Sequence, residues 1–409
     1  MKRLLLSNAI LALAGIAATA QTAGYPQRDA THDQLVVTSY DGTTTYYNAD
    51  DLTAIDLDGG TATLTVGNLT DMAANLKNMR FLKATQPLSA MLSNPAGCVK
   101  ITEASGWCES AYAKFELFDG AKGYNAYVAG GPYPDFIRVD QQLVRNYGTY
   151  GRVDVVGLPS AYGYQLRIVP IDADGNEMTA AANVATHINV SSYSREGFAH
   201  KNWSGVGAYN DNGTLKAGAR VLYVTKSTAK TVTCSVVTNS KGGITECTGL
   251  QAIIDAYQKG YDTTPLAVRI IGKLTASDMD SFSSSEEGIQ IKGKKADSEL
   301  NITIEGIGDD ATIHGFGFLC RNARSVEFRN LGIMRCMDDG ISLDTDNSNI
   351  WIHNIDVFYG KAGSGDHAKG DGAVDVKSDS KYVTVDHCRF WDTGKSNMFG
   401  MKSESGPNY

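Results

Sequence analysis

The sequence is poor in proline and carries no excess of positive charge. Its 409 residues include 9 prolines and 43 glycines, a balance that favours frequent turns over a disordered, proline-rich tail. Lysine and arginine number 37 against 45 aspartates and glutamates, so the formal net charge is -8. Nucleic-acid-binding surfaces are basic, and we therefore expect no nucleic-acid partner. An acidic chain that handled an acidic polymer would need local cations, from lysine or from a metal ion.

Long apolar runs are also lacking, except at the start. Lys2 and Arg3 precede the mainly apolar stretch 4–17, and the small residues Ala18-Thr19-Ala20 follow it. This pattern predicts a signal peptide over residues 1–20, because a membrane anchor needs about 20 apolar residues and different flanks. We therefore expect a secreted protein, extracellular or periplasmic, with no membrane insertion.

Cysteine is scarce, and its spacing matches no zinc site. The 7 cysteines form an odd set without metal-ligand spacing. Export permits disulfides, and two pairs are close enough in sequence to form them, Cys98 with Cys108 and Cys234 with Cys247. The other three cysteines are expected to be buried apolar residues.

The first half of the chain predicts two β units without assignable chemistry. Residues 21–87 contain short alternating runs separated by the hairpin signals Asp41-Gly42 and Gly59-Gly60, typical of a small β module. Residues 88–192 are also rich in alternating strands. There Gly157-Leu158-Pro159, followed by Tyr164 and the strand 168–171, resembles a fibronectin type III β-sandwich.

From residue 193 onward the sequence repeats. The segments that begin at Ile302, Val326 and Ile350 are 24 residues apart, and a fourth at Val383 follows after 33 because of an expected inserted loop near 362–370. One alternating strand per repeat of this length indicates a solenoid. We predict that 302, 326, 350 and 383 stack in one inward column, 304, 328, 352 and 385 in the next, and that Asn330 and Asn354 stack with their amides hydrogen-bonded.

The architecture that fits these features is all-β, with a right-handed parallel β-helix over 193–409. A single amphipathic helix is predicted near 248–260, with Thr248 as its N-cap and Gly260 as its stop. Such a helix could cover the first rung of the stack, which otherwise exposes an edge.

The chemistry-bearing residues fall on neighbouring strands of this solenoid. Strand alternation places Asp371, Asp375 and Lys377 on one outward face, and the pair Asp338-Asp339 precedes a strand one or two rungs below. Carboxylates that converge in this way suit Ca²⁺. From the residues alone, a solvated acidic surface that ends at a lysine is an equal alternative.

Several motifs, in this order, resemble the pectate lyases of polysaccharide lyase family 1. The resemblance covers about half the chain and rests on these segments: Ile302-Thr303-Ile304-Glu305-Gly306-Ile307-Gly308, Arg329-Asn330-Leu331, Asn349-Ile350-Trp351-Ile352, Ala373-Val374-Asp375-Val376-Lys377 and Tyr382-Val383-Thr384-Val385. The resemblance implies a calcium site at Asp339, Asp371 and Asp375, with Asp338 as a weaker match. It also implies that Lys377 and Lys395 bind the carboxylates of polygalacturonate or pectin; an exposed turn lysine is the alternative for Lys395.

The resemblance further implies β-elimination by an arginine base in an Arg-x-Pro-x-x-Arg segment. No arginine follows Arg389, and no Arg-x-Pro occurs in the chain. We therefore expect an incomplete β-helix whose base lies beyond Tyr409, and a monomeric chain that is inactive by itself. The alternatives are a pectin lyase, which the acidic residues disfavour, and a secreted polysaccharide-binding β-helix protein without catalysis, which the missing arginine favours.

Overall fold

The fold is taken from a computed structural model that describes residues 23–29, 31–84, 90–358 and 370–400. The predicted signal peptide, the residues 403–409 and nearly all of the inserted loop near 362–370 lie outside the described residues. Strands dominate the described part of the chain, as predicted. No helix within these ranges is long and apolar enough to span a bilayer.

Short antiparallel strands fill the region before residue 191. They are β1 (Gln34–Ser39), β2 (Thr44–Asn48), β3 (Leu52–Asp58), β4 (Thr61–Val66), β5 (Leu69–Ala73), β6 (Leu76–Leu82), β7 (Met91–Leu92), β8 (Ile101–Trp107), β9 (Ser110–Glu116), β10 (Gly123–Gly130), β11 (Tyr133–Arg138), β12 (Val144–Asn146), β13 (Tyr150–Val156), β14 (Ala161–Ile171) and β15 (Asn183–Val190).

The described residues after 216 form one α-helix, an antiparallel hairpin and the strands of the solenoid. The helix is α1 (Leu250–Tyr257), and the strands are β16 (Arg220–Val224), β17 (Thr233–Val237), β18 (Ile244–Thr248), β19 (Leu266–Thr275), β20 (Gly288–Lys292), β21 (Ser298–His314), β22 (Gly317–Arg321), β23 (Ala323–Met334), β24 (Ile341–Thr345), β25 (Ser348–Phe358), β26 (Gly372–Val376), β27 (Lys381–Asp386), β28 (Arg389–Trp391) and β29 (Lys395–Phe399).

Two small sheets form the first β unit, which we define as residues 23–84. Their strand orders are β2-β1-β6 and β3-β4-β5, all antiparallel. The predicted hairpin turns are present, because Gly42, Gly59 and Gly60 adopt positive φ between β1 and β2 and between β3 and β4. Both sheets contribute buried side chains to one hydrophobic cluster.

Two antiparallel sheets also form the second β unit, residues 90–190. Their orders are β11-β10-β14-β15-β7 and β12-β13-β9-β8, and both contribute buried side chains to a common cluster. The hydroxyl of Tyr164 donates to the carbonyl of Pro159 at 2.8 Å, at the segment on which the fibronectin resemblance rests. That resemblance and the domain boundaries stay predictions.

Two parallel sheets stack the repeat, as the 24-residue period predicted. The long sheet has the order β16-β19-β21-β23-β25-β27, with β28 also on β25, and the site sheet has the order β20-β22-β24-β26-β29. In the long sheet Ile302 pairs with Val326, Val326 with Ile350 and Ile350 with Val383. The next column, 304, 328, 352 and 385, is also in register. Both predicted columns are confirmed.

Residues in the left-handed backbone conformation turn the chain at the corners of the rungs. Asn301, Ser325, Asn349 and Tyr382, with φ of 54°, 63°, 52° and 53°, each stand one residue before a member of the first column. Asparagine tolerates this conformation better than a bulky aromatic residue does, so Tyr382 is the costly member of the set.

Asn330 and Asn354 match the prediction in their positions but not in their hydrogen bonds. Asn330 and Asn354 occupy equal positions, with φ of 50° and 53° between paired neighbours. The amide nitrogen of Asn330, however, donates to the carbonyls of Gly306 (2.7 Å) and Gly308 (3.1 Å). The prediction of an amide-to-amide bond is therefore wrong for this donor, because the rung below already offers two backbone acceptors.

Helix α1 covers the first strand of the site sheet, as predicted. The side-chain amide of Gln251 donates to the carbonyl of Gln290 (3.1 Å) and accepts its N–H (3.0 Å), so one side chain replaces a neighbouring strand. The predicted cap is wrong: Gly249 is the N-cap, and the carboxylate of Asp280 accepts the N–H groups of Gln251 and Ala252.

A bulge in β21 connects the solenoid to the second β unit. Seven positions separate Glu305 from Thr312, whereas three separate their partners Arg329 and Gly332, so β21 carries four extra residues. The bulge presents Asp309, which binds Arg152 (2.5 Å), and Asp310, which binds Arg145 (3.3 Å) and the hydroxyl of Tyr147 (3.1 Å). Half-buried ion pairs therefore join the two parts of the chain.

All seven cysteines are free thiols in this structure. Cys234 and Cys247 are directly paired in the β17–β18 hairpin. Of the two proposed disulfides, only this one joins cysteines that are neighbours across two strands. Cys98 and Cys108 contact Ala180 and Ser191 instead. Cys320 and Cys336 are buried and Cys388 packs against the core, as expected.

Candidate functional site

The candidate site is built on consecutive strands of the site sheet. Val374 and Val376 of β26 point into the hydrophobic core, which turns Asp375 to the opposite face. In the neighbouring strand β24, Ser342 pairs with Asp375. The turn that precedes β24 carries Asp339, so adjacent rungs bring the two aspartates together as the sequence predicted.

Lys377 joins these aspartates through its ammonium group. Its Nζ atom lies 2.9 Å from Oδ2 of Asp339, 3.4 Å from Oδ2 of Asp375 and 3.2 Å from Oγ of Ser342. Asp339 also accepts the N–H of Gly372 at 2.8 Å. Asp339 and Asp375 are fully buried and Lys377 is 9% exposed. The alternative of a solvated acidic surface is therefore wrong for these three residues.

Gly372 has no side chain, and this allows the carboxylates of Asp339 and Asp375 to come close to its backbone. A Cβ atom at that position would lie 2.0 Å from Oδ1 of Asp375 and 3.0 Å from Oδ1 of Asp339. Only glycine leaves room for both carboxylates. The Asp371-Gly372 pair thus has a structural reason within the predicted motif.

The remaining predicted residues form a neighbouring pair. Lys395 at the start of β29 contacts the carboxylate of Asp371, and the two backbones are also bonded, from Lys395 N to Asp371 O at 2.9 Å. Asp371 is buried, whereas 23% of the Lys395 side chain is exposed. The structure therefore places Lys395 beside the acidic residues and gives it a carboxylate partner, which a solvated turn lysine would lack.

Burial and like charge act together on the buried carboxylate of Asp375. Desolvation and the neighbouring charge of Asp339 raise the pKa of Asp375 above its ordinary range. Burial alone would lower the pKa of Lys377, but Asp339 and Asp375 outweigh it, so the pKa of this ammonium is raised. Lys377 is thus a permanent positive charge between two acids.

Glu287 is a member of the cluster that the sequence analysis missed. Glu287, Asp338 and Asp339 can each offer one oxygen within 4.8 Å of the others. Burial, followed by the charges of Asp339 and Asp338, raises the pKa of Glu287, although Ser284 donates a hydrogen bond to it. A sequence signal exists: the acid–glycine pair recurs before or at the start of three strands of the site sheet, as Glu287-Gly288, Asp339-Gly340 and Asp371-Gly372.

The donor set fits a hard divalent cation. Carboxylate oxygens are the preferred ligands of Ca²⁺. Both carboxylate oxygens of Asp375 are buried without a hydrogen-bond partner among the residues that the structure describes, and such groups are rare unless an ion or water satisfies them. This buried carboxylate has only the ammonium of Lys377 as a partner and stands next to Asp339 and its acidic neighbours, and this arrangement favours a cation.

Comparison with known proteins shows which family the chain is similar to. The family model described as pectate lyase matches residues 202–409, which is half of the chain and contains the whole site sheet. Pectate lyase A of Emericella nidulans is 33% identical over 116 residues, which cover 27% of this chain and 34% of that protein. A probable pectate lyase A of Neosartorya fischeri is 29% identical over 123 residues, covering 29% and 37%.

A bacterial relative matches a longer stretch. The pectate trisaccharide-lyase of Bacillus licheniformis is 28% identical over 177 residues, which cover 42% of this chain and 48% of that enzyme. The chain thus spans between about a third and a half of the length of these relatives.

Solved structures give more distant likenesses. A thermostable pectate lyase matches with a TM-score of 0.28 and 17% identity over 46% of this chain and 55% of that one. A family 28 exopolygalacturonase of Yersinia enterocolitica has a TM-score of 0.25 and 12% identity over 79% and 68%. The family match over half of the sequence decides the question: the chain belongs to the pectate lyase family.

Proposed function

We propose that this chain carries the calcium and substrate site of a secreted, calcium-dependent pectate lyase that cleaves polygalacturonate by β-elimination. The observation that carries the proposal is the convergence of Asp339, Asp375 and Lys377 around Gly372, with the carboxylate of Asp375 buried and held only by its ion pair with Lys377 among the described residues. Family membership supports the same chemistry.

Asp339, Asp371 and Asp375 would hold the calcium ion, with Asp338 and Glu287 at its edge. A bound calcium ion supplies positive charge that binds the uronate carboxylate and stabilises the charge developing at the adjacent carbon. The carboxylates of the chain would fix the position of the ion, and their burial would limit competition from water for the same oxygens.

Lys377 and Lys395 have a second task in this proposal. Each ammonium group now neutralises an aspartate, Asp339 or Asp371. With a cation held by those aspartates, the two ammonium groups would no longer be needed as their counter-charges. The two lysines can then turn to carboxylates of the substrate chain, for which a compact ammonium is a suitable point-charge partner.

The base that removes the proton from the substrate is not one of the residues of this site. The family resemblance implies an arginine that removes the proton from the carbon next to the carboxylate, after which the C4 oxygen leaves as the double bond forms. No Arg-x-Pro segment occurs in the 409 residues. We propose that these 409 residues bind calcium and substrate, and that cleavage needs an arginine base that none of them supplies.

The test combines calcium binding with product formation. Isothermal titration should show calcium binding that Asp375→Asn and Asp339→Asn abolish. Ultraviolet absorbance of the unsaturated product should appear on polygalacturonate only for a chain extended by further rungs, and a chelator should remove it. Asp172→Asn, in an exposed turn of the second β unit, is the matched control. Calcium binding that both site variants retain would reject the proposed site; polymer binding without cleavage by the extended chain would favour a binding protein.

A further inference from the structure

Two adjoining clefts run along the side of the first β unit, away from the site sheet. The first, of about 410 Å³, lies between the first β unit, the second β unit and the β21 bulge. The second, of about 380 Å³, lies between the first β unit and the start of the solenoid. Lys77 lines both clefts, and the hairpin turn of β1 and β2 separates them, with Tyr40 on one side and Asp41 on the other. No residue of the candidate active site lines either cleft.

Tyrosines line the first cleft. Tyr46 pairs with Val36 in the β1–β2 register, so both side chains share the sheet face that forms one wall. Tyr147 and Tyr150 form the opposite wall as a stacked pair, with ring centroids 4.9 Å apart and an interplanar angle of 10°. Burial and the charge of Asp309 raise the pKa of Tyr46 to about 12, so its hydroxyl stays a hydrogen-bond donor. Broad aromatic faces with hydroxyl groups match the alternating apolar and polar faces of a sugar ring.

Lysines line the second cleft. Lys77, Lys226 and Lys273 converge there, and none of them has a carboxylate within ion-pair distance in the described ranges. Lys273 lies over the ring of Tyr40, with Nζ 5.3 Å from the centroid, and Tyr40 is 65% exposed. Asp278 also lines this cleft, so three cations stand against one carboxylate there and form a local positive region in a chain of net charge -8.

The carboxylates that border the clefts are already bound to other groups. Asp309 and Asp310 are paired with the arginines of the second β unit, as described for the bulge. Asp278 accepts hydrogen bonds from the N–H and hydroxyl of Thr275, and Asp41 accepts the N–H of Thr43. They therefore leave the lysines to a ligand.

We propose that the two clefts form one groove that binds an anionic oligosaccharide of uronic acid units, with sugar rings against Tyr46 and Tyr150 and carboxylates against Lys77, Lys226 and Lys273. This groove is separate from the catalytic site. It would hold a second stretch of the acidic polymer at a distance from the cleavage site. The choice of a polyuronate, among anionic saccharides, rests on the proposed function.

Binding of de-esterified oligogalacturonate to the whole chain tests the groove. The titration is run in chelator and in the Asp375→Asn background, so that the calcium site does not contribute. Lys77→Ala/Lys273→Ala should bind on the order of tenfold more weakly, a loss equivalent to about 1.4 kcal/mol. Tyr150→Ala should also weaken binding, and added salt should weaken it in the parent chain. Lys241→Ala and Tyr162→Ala, at exposed positions outside the groove, are the matched controls.

The outcomes separate the groove from the proposed function. Equal affinity in the groove variants and the controls would overturn the groove, as would equal affinity for fully methyl-esterified polymer. If the double variant fails to fold, the exposed Lys226→Glu gives the same comparison by charge reversal. If the groove variants, made in the otherwise unaltered chain, lose oligogalacturonate binding but keep calcium binding, the groove is supported independently of the calcium site. If calcium does not bind at all, the groove measurement still stands, because it is made in chelator.

Discussion

Arg80 of the first β unit reaches into the solenoid and places its Nε atom 3.1 Å from Oδ2 of Asp356. Both side chains are buried, and Arg80 also donates to the carbonyls of Ala311 and Asn330. Burial raises the pKa of Asp356, and Arg80 offsets only part of that effect. The first β unit therefore supplies a charge on which the solenoid depends.

Removal of that charge is expected to destabilise the whole chain. Arg80→Ala leaves Asp356 buried without its cation, which should lower the free energy of unfolding by about 3–5 kcal/mol. Chemical denaturation measures the loss. Lys100→Ala, which breaks an exposed pair with Glu116, should change stability little. Equal stability of the two variants would contradict this view of the interface.

The ionisation of Glu327 makes the free energy of unfolding depend on pH. Burial alone would raise its pKa, but Arg329 and a hydrogen bond from His353 lower it to about 2, against 4.5 for the ordinary side chain. Because the folded state holds this group ionised, its contribution is complete above pH 4.5 and is lost as the pH falls towards 2, an effect on the order of 3 kcal/mol.

Glu327→Gln tests this linkage, since glutamine does not titrate. The difference in unfolding free energy between the parent chain and the variant should be largest near neutral pH and should shrink as the pH falls. Urea denaturation over a pH series measures it. A difference that stays constant down to the lowest pH at which the chain folds would show that Glu327 does not titrate as described.

Gly372→Ala should damage the candidate calcium site without disturbing the hydrophobic core. The new Cβ would collide with Oδ1 of Asp375 and press on Oδ1 of Asp339. We expect calcium affinity to fall at least about tenfold, equivalent to 1.4 kcal/mol, as measured by titration calorimetry. Gly123→Ala is the control, because a Cβ there meets only Cδ1 of Ile171 at 3.7 Å. Unchanged affinity would mean that the two carboxylates do not share an ion.

Tyr382→Asn should stabilise the last stacked corner. Tyr382 has φ of 53°, whereas the equal corners use asparagine or serine. The left-handed conformation costs most residues about 1–2 kcal/mol, and asparagine adopts it more readily. We expect a gain of part of that amount in thermal unfolding, and no gain for Tyr382→Phe. Equal stability of the two variants would argue against strain at this corner.

The repeat could be predicted because its information is local and periodic. Ile302, Val326 and Ile350 recur at a fixed interval, and an inward side chain in one rung must meet its equivalent in the next. The same reasoning brought Asp339 and Asp375 together. Glu287 escaped because the spacing between its rung and that of Asp339 does not follow the 24-residue period.

Contacts made by non-repeating segments could not be predicted in this way. Backbone N–H groups of Gly207 and Ala208 donate to Ser325 and Thr303 on the outer face of the long sheet, and the hydroxyl of Tyr209 donates to Glu305. This segment has no period that points to its partners. The four extra residues of the β21 bulge likewise read as part of a strand, although they carry the acids that bind the second β unit.

The amide of Gln251 has a consequence for how molecules of this protein meet one another. A parallel sheet whose outermost backbone groups are free can recruit a strand from another copy. Here a single side chain satisfies both backbone groups of Gln290, and the helix that carries it blocks the approach. Gln251 therefore protects this edge of the sheet from intermolecular pairing, and its replacement would expose the backbone of Gln290 to a strand of another copy.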